Sequence, residues 1–150
     1  MAVTPNFDPV FPETLTGDVT LIRVLDTDDT ENHVLQLGLP WSVEISWHLF
    51  GHNVAAVGGT WYMDVMLESM GPPNFEANIG SCNKNLTNFE PSSFANHRNY
   101  KCQIQIPANI PPGVGVYKLV TLLTYRNDAG SIMEMAGFRE GPLIHIFQPD

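Results

Sequence analysis

Residues 41 to 71 read WSVEISWHLFG, then HNVAAVGG, then TWYMDVMLESMG, and this stretch leaves the chain few ways to fold. In the first run Trp41, Val43, Ile45, Trp47 and Leu49 alternate with Ser42, Glu44, Ser46 and His48. A period of two belongs to a strand with one dry face and one wet face. The second run repeats it, setting Trp61, Met63, Val65 and Leu67 against Tyr62, Asp64 and Glu68. Between them Gly58-Gly59 interrupts any strand, so two neighbouring strands joined by a turn or a wider loop are expected. All three tryptophans of the protein fall on the apolar side of this pair, which makes it the seed of a core.

The rest of the composition agrees with short strands. Twelve prolines and twelve glycines suit a protein of strands and turns, a hydrophobic share of 43% argues against disorder, and no window holds a sustained helical period. At 150 residues the chain fits one domain that can bury a core without metals or disulfides. Sixteen acidic against seven basic residues give a formal charge of -9, a field that repels phosphate backbones and anionic lipid headgroups. Nucleic acid and membrane are therefore excluded as expected partners. No run approaches the length of a membrane span, and the opening MAVTPNFDPVFPETLTG has neither the basic start nor the apolar run of a secretory signal. The reading is a cytoplasmic protein, or one exported by a route not encoded here.

Taken in order, residues 1–17 form an extended arm, because Pro5, Pro9 and Pro12 exclude helix and sheet interior. Its Phe7, Val10 and Phe11 need a surface to lie on, either the arm's own domain, residues 18–150, or a neighbouring subunit. Asp18 to Leu25 is a first strand, followed by the acidic turn Asp26 to Asn32, which lacks the glycine and terminal glutamate of a calcium loop and reads as solvated. His33 to Leu39 is a short strand, and Asn74 to Gly80 a brief one. Ser81 to Asn99, rich in Asn and Ser, reads as a long surface loop that carries the triplet Asn85-Leu86-Thr87 of a glycosylation acceptor. Tyr100 to Ile106 resumes alternation and points Cys102 the same way as Ile104 and Ile106. Two readings stand open for Cys82 and Cys102: buried reduced thiols, or a disulfide closing the loop and contributing about 3 kcal/mol.

The segment Pro107 to Leu119 then runs a Pro/Gly turn into Gly115-Val116-Tyr117-Lys118-Leu119. This resembles the corner that leads into strand F of immunoglobulin-like and fibronectin-type-III-like sandwiches, where a tyrosine hydroxyl ties the corner to nearby backbone. The resemblance implies that Tyr117 is that tyrosine and that Leu119 stands where antibody domains place a cysteine, so their inter-sheet disulfide is absent. Val116 to Tyr125 is the most apolar strand, with Tyr117, Leu119, Leu123 and Tyr125 on one face and Val116, Val120 and Leu122 on the other. Apolar residues on both faces predict a central strand whose outer side is also covered. Ser131 to Phe138 and Leu143 to Gln148 are two closing strands. The fold expected is all-β, a Greek-key sandwich of about seven to nine antiparallel strands, with a jelly roll as the alternative.

Little in the chain points to catalysis. His48 and His52 have the spacing of two metal ligands on a helix, but the local period is that of a strand ending at Gly51 and the catalytic glutamate is missing. They read as surface histidines, with no metal or cofactor expected. The methionines, Met63, Met66, Met70, Met133 and Met135, read as core filling rather than copper ligands. Asp64 and Glu68 share a strand face as hydrolase carboxylates do, yet nothing marks either as desolvated. There is no nucleophile elbow and no phosphate loop. The function read from the sequence is a non-enzymatic binding or assembly module that associates with further copies of itself or with a larger protein, through Phe7, Val10 and Phe11 of the arm and Val116, Val120 and Leu122 of the two-sided strand. The competing reading is a domain that binds a carbohydrate or a cation through the acidic turn and the Ser81 to Asn99 loop.

Overall fold

A computed structural model of the chain describes residues 15–51, 58–72, 74–90, 97–127 and 132–149, the side chains of 15–17, 51 and 132–136 excepted. Eight strands lie among the described residues: β1 (Leu15–Leu25), β2 (Val34–Gln36), β3 (Trp41–Gly51), β4 (Thr60–Ser69), β5 (Glu76–Asn85), β6 (His97–Ile106), β7 (Gly115–Arg126) and β8 (Ile132–Phe147). They form a three-stranded sheet, β1-β3-β6, packed on a five-stranded sheet, β2-β8-β7-β4-β5. β3 and β4, the two alternating runs around which the sequence is organised, fall in opposite sheets. The chain crosses between the layers after β1, β2, β3, β5 and β6, and the two sheets make an all-β sandwich. Every pairing is antiparallel except β2 with β8, which is parallel.

The alternation places the core as expected. Trp41, Trp47 and Trp61 are all buried between the sheets. The Trp47 indole stacks on Tyr100 at 5.7 Å between ring centroids, and Trp61 meets Tyr100 and Tyr125 edge-on. Such pairings favour the ring quadrupoles as well as burying area. At the corner before β7, the Tyr117 hydroxyl donates to the Gly113 carbonyl at 2.7 Å. Burial pushes this hydroxyl's pKa up, so the donor keeps its proton at neutral pH. Trp41 Nε1 similarly ties the neighbouring turn to the smaller sheet by donating to the Ile110 carbonyl at 2.7 Å.

Two lateral seams close the sandwich, one between the edge strands β5 and β6 and the other between the edge strand β1 and β8. At one, Cys82 of β5 and Cys102 of β6 are joined by a disulfide. Gly80 lies beside it, where an added Cβ would stand 2.5 Å from Ile104 Cγ2, so only a missing side chain permits the approach. At the other seam β1 lies against β8. A bulge between Val19 and Leu21 lets Val19 and Ile22 both point inward and turns Leu21 out. Arg139 reaches across from β8 to donate to the Val19 carbonyl at 2.7 Å.

Several expectations about element limits are corrected. Ser81 to Asn99 is not one long loop: residues 81–85 complete β5 and residues 97–99 begin β6. The two closing strands are a single strand, β8, which passes Gly141-Pro142 by a register shift opposite Lys118 and Val120. β1 starts at Leu15, three residues inside the stretch read as arm. Phe7, Val10 and Phe11 lie outside the described residues, as does His52.

Candidate functional site

The outer face of the five-stranded sheet is built by the residues that alternate with the core. On β7 the inward set is Tyr117, Leu119, Thr121, Leu123 and Tyr125, so Val116, Lys118, Val120, Leu122 and Thr124 point outward. Register aligns them with β4 on one side and β8 on the other. Leu122 stands between Asp64 and Phe138, Val120 between Met66 and Glu140, and Lys118 between Glu68 and Leu143. The result is an apolar band, Met66, Val116, Val120, Leu122, Phe138 and Leu143, running obliquely across three strands. Phe138 is 67% exposed, Leu143 53% and Val116 41%. Single exposed apolar side chains are ordinary, but a contiguous group on a sheet face is the mark of an interaction surface.

Charges interrupt this band and are mostly paired, Lys118 standing between Val116 and Val120 on β7 and Glu140 between Phe138 and Leu143 on β8. Lys118 donates to Glu140 at 2.8 Å, and that contact, with Glu68 nearby, holds the ammonium pKa up. Arg126 lies over the Tyr62 ring at 4.7 Å from its centroid, a cation–π contact that occupies that ring face. Glu68 of β4 faces Glu76 of β5 directly. Their shared hydrogen bond, then their mutual repulsion, raises the Glu76 pKa above the ordinary glutamate range. Asp64 and Glu68 thus sit on an open sheet face, one beside Leu122 and the other between Lys118 and Glu76, with no cleft between them.

Within the acidic turn Asp26 and Asp28 bond the turn's own backbone, while Asp29 accepts from Gln103 and Glu31 lies beside Arg23. Asp26 Oδ1 accepts from the amides of Asp28 and Thr30, and Asp28 Oδ1 from the amide of Thr30. Hydrogen bonding with Asp26, then with Thr30, holds Asp28 below the ordinary aspartate range. Beside this turn is an open cleft of about 280 Å³ lined by Asp26, Asp28, Leu35, Trp41 and Phe147 among others. Among the described residues no group of three His, Cys, Asp or Glu side chains is placed to hold a metal ion.

The histidines are not arranged as their helical spacing suggested. β3 is a strand, and His48 lies on its outer face, opposite Asp18 of β1 and Asn99 of β6. Its ring neighbour is His97, which belongs to the stretch read as loop. Among the methionines, Met63 is core and Met70 is exposed. Phe138, Leu143 and Met66 were missed as members of the outer face. The signal that would have found them is cross-strand register, which alternation within one strand does not contain.

Neither a protein-family model nor a curated protein matches the chain. Among solved structures, the C-terminal domain of wzt superposes with a TM-score of 0.60 at 8% identity, over 89% of this chain and 75% of that one. The CARDB domain of the PF1109 protein from Pyrococcus furiosus aligns with a TM-score of 0.44 at 9% identity, over 89% of this chain and 87% of that one. BcpA, the major pilin subunit of Bacillus cereus, aligns with a TM-score of 0.41 at 9% identity, over 89% of this chain and 40% of that one. The first of these likenesses shows a shared β-sandwich fold.

Proposed function

We propose that this protein is a non-enzymatic assembly module and that the outer face of β4, β7 and β8 binds a second copy of the chain. The gathering of Met66, Val116, Val120, Leu122, Phe138 and Leu143 on one sheet face, around the Lys118–Glu140 pair, carries this reading. Its occupant is the segment before β1, residues 1–14, of the neighbouring copy. That segment holds Phe7, Val10 and Phe11, and fourteen extended residues reach about 46 Å. β1 lies along β8, so the segment starts at the edge of the face it is to cover. With -9 per copy, association works against like charge, so it strengthens with salt. The Cys82–Cys102 bond supports work in an oxidising compartment.

Sedimentation velocity of the full chain and of a chain lacking residues 1–14 tests the proposal. The expected result is concentration-dependent association of the full chain that the truncation abolishes. A full chain that stays monomeric at high concentration overturns it, and so does a truncation whose only effect is a lower melting temperature, which would place the arm on its own domain.

A second reading has an observation of its own. The cleft beside the acidic turn, with carboxylates at its rim and Leu35, Trp41 and Phe147 in its wall, suits a small cationic or polyhydroxylated ligand. A thermal-shift screen with calcium and with neutral and amino sugars separates this reading from assembly, since a ligand of the folded state raises the melting temperature.

A further inference from the structure

On the outer side of the smaller sheet, His48 and His97 come together from neighbouring strands. His48 pairs with Asn99 and Phe50 with His97, so the two imidazoles are diagonal neighbours on one face. Their ring centroids are 5.1 Å apart and their planes are turned 63°. Two imidazole nitrogens bound to one zinc ion at about 2.1 Å, at angles from square to tetrahedral, hold their ring centroids roughly 4.6 to 5.3 Å apart. The observed separation lies inside that range. Asp18, opposite His48 on β1, adds a carboxylate to the same row. Phe50 packs edge-on against the His48 ring, at 5.1 Å, and limits the orientations that ring samples.

The geometry points to a surface site for a divalent transition-metal cation of the zinc, nickel or copper class, with His48 and His97 as its two protein ligands. Imidazole is the nitrogen donor these ions share, and hard oxygen-seeking calcium or magnesium would not select it. No third ligating side chain converges among the described residues, so water completes the coordination sphere and Asp18 acts from outside it by charge and hydrogen bonding to bound water.

The test is calorimetric titration of the metal-free full chain with zinc chloride, repeated on His48→Ala, His97→Ala and Asp18→Asn. Circular dichroism of each variant establishes that it is folded, and His48→Gln, closer to histidine in size, stands in if the alanine variant is not. Saturable one-to-one uptake is expected, weakened at least about tenfold by loss of either histidine and less by Asp18→Asn. His33→Ala and His145→Ala, whose side chains lie beside Glu31 and opposite Val116, leave it unchanged. Uptake should fade as pH drops through the histidine range. Absence of saturable binding, or binding that survives both histidine substitutions, overturns the site.

Discussion

Tyr117 shows how much a single hydroxyl can organise. The ring is buried, and its oxygen finds the Gly113 carbonyl four residues upstream, which locks the entry into β7. Tyr117→Phe keeps the packing and removes only that bond, so it should cost about 1 to 2 kcal/mol in urea unfolding. The role was readable beforehand because a Pro/Gly turn followed by Gly-x-Tyr is a local pattern. Glu76 is the opposite case, since its character comes from Glu68 across the ladder. Its raised pKa means the folded state holds the proton more tightly than the unfolded chain, so stability falls as pH rises above about 4.3 through the folded pKa. Glu76→Gln should flatten the urea midpoint across that window, while the parent protein loses stability there. A parallel loss in both proteins would mean the pair contributes nothing.

At the scale of elements, alternation identified β3, β4 and β7, each of which has large apolar residues on its core face. It failed at β5. EANIGSCNKN is an edge strand whose inward positions include Ile79, buried, and Cys82, partly buried at a disulfide seam. A strand closed by sulfur rather than by leucines has no hydrophobic period to read. β8 was split in two because Gly141-Pro142 looks like a terminator, whereas a register shift lets the chain continue through it. The disulfide compensates for the sparse apolar contact of β5. Replacing Cys82 and Cys102 together by serine removes the closure of a 20-residue separation and should lower stability by about 3 kcal/mol, seen as an earlier chemical-denaturation midpoint. β5 should then lose amide-exchange protection before β7.

For the whole molecule, the inner surfaces account for the fold, and the outer surfaces carry the proposed assembly face and metal site. Between the layers, indoles and branched aliphatics leave little for chemistry. The smaller sheet presents a mixed exterior, with Arg23 bridging to Glu44 at 2.9 Å, the histidine pair at one end, and Leu21 and Phe50 exposed among them. The larger sheet presents the apolar band. Val116, Val120 and Leu122 were visible in the sequence as the second apolar face of one strand, but the band's full extent depends on which strands flank β7. Methyl-resolved NMR over a dilution series of the full chain tests the assembly face most directly. The methyls of Val116, Val120, Leu122 and Leu143 should shift with concentration, more so in high salt, while those of Leu21 and Leu39, exposed elsewhere, stay fixed. Spectra independent of concentration, or shifts confined to residues off this face, would contradict it.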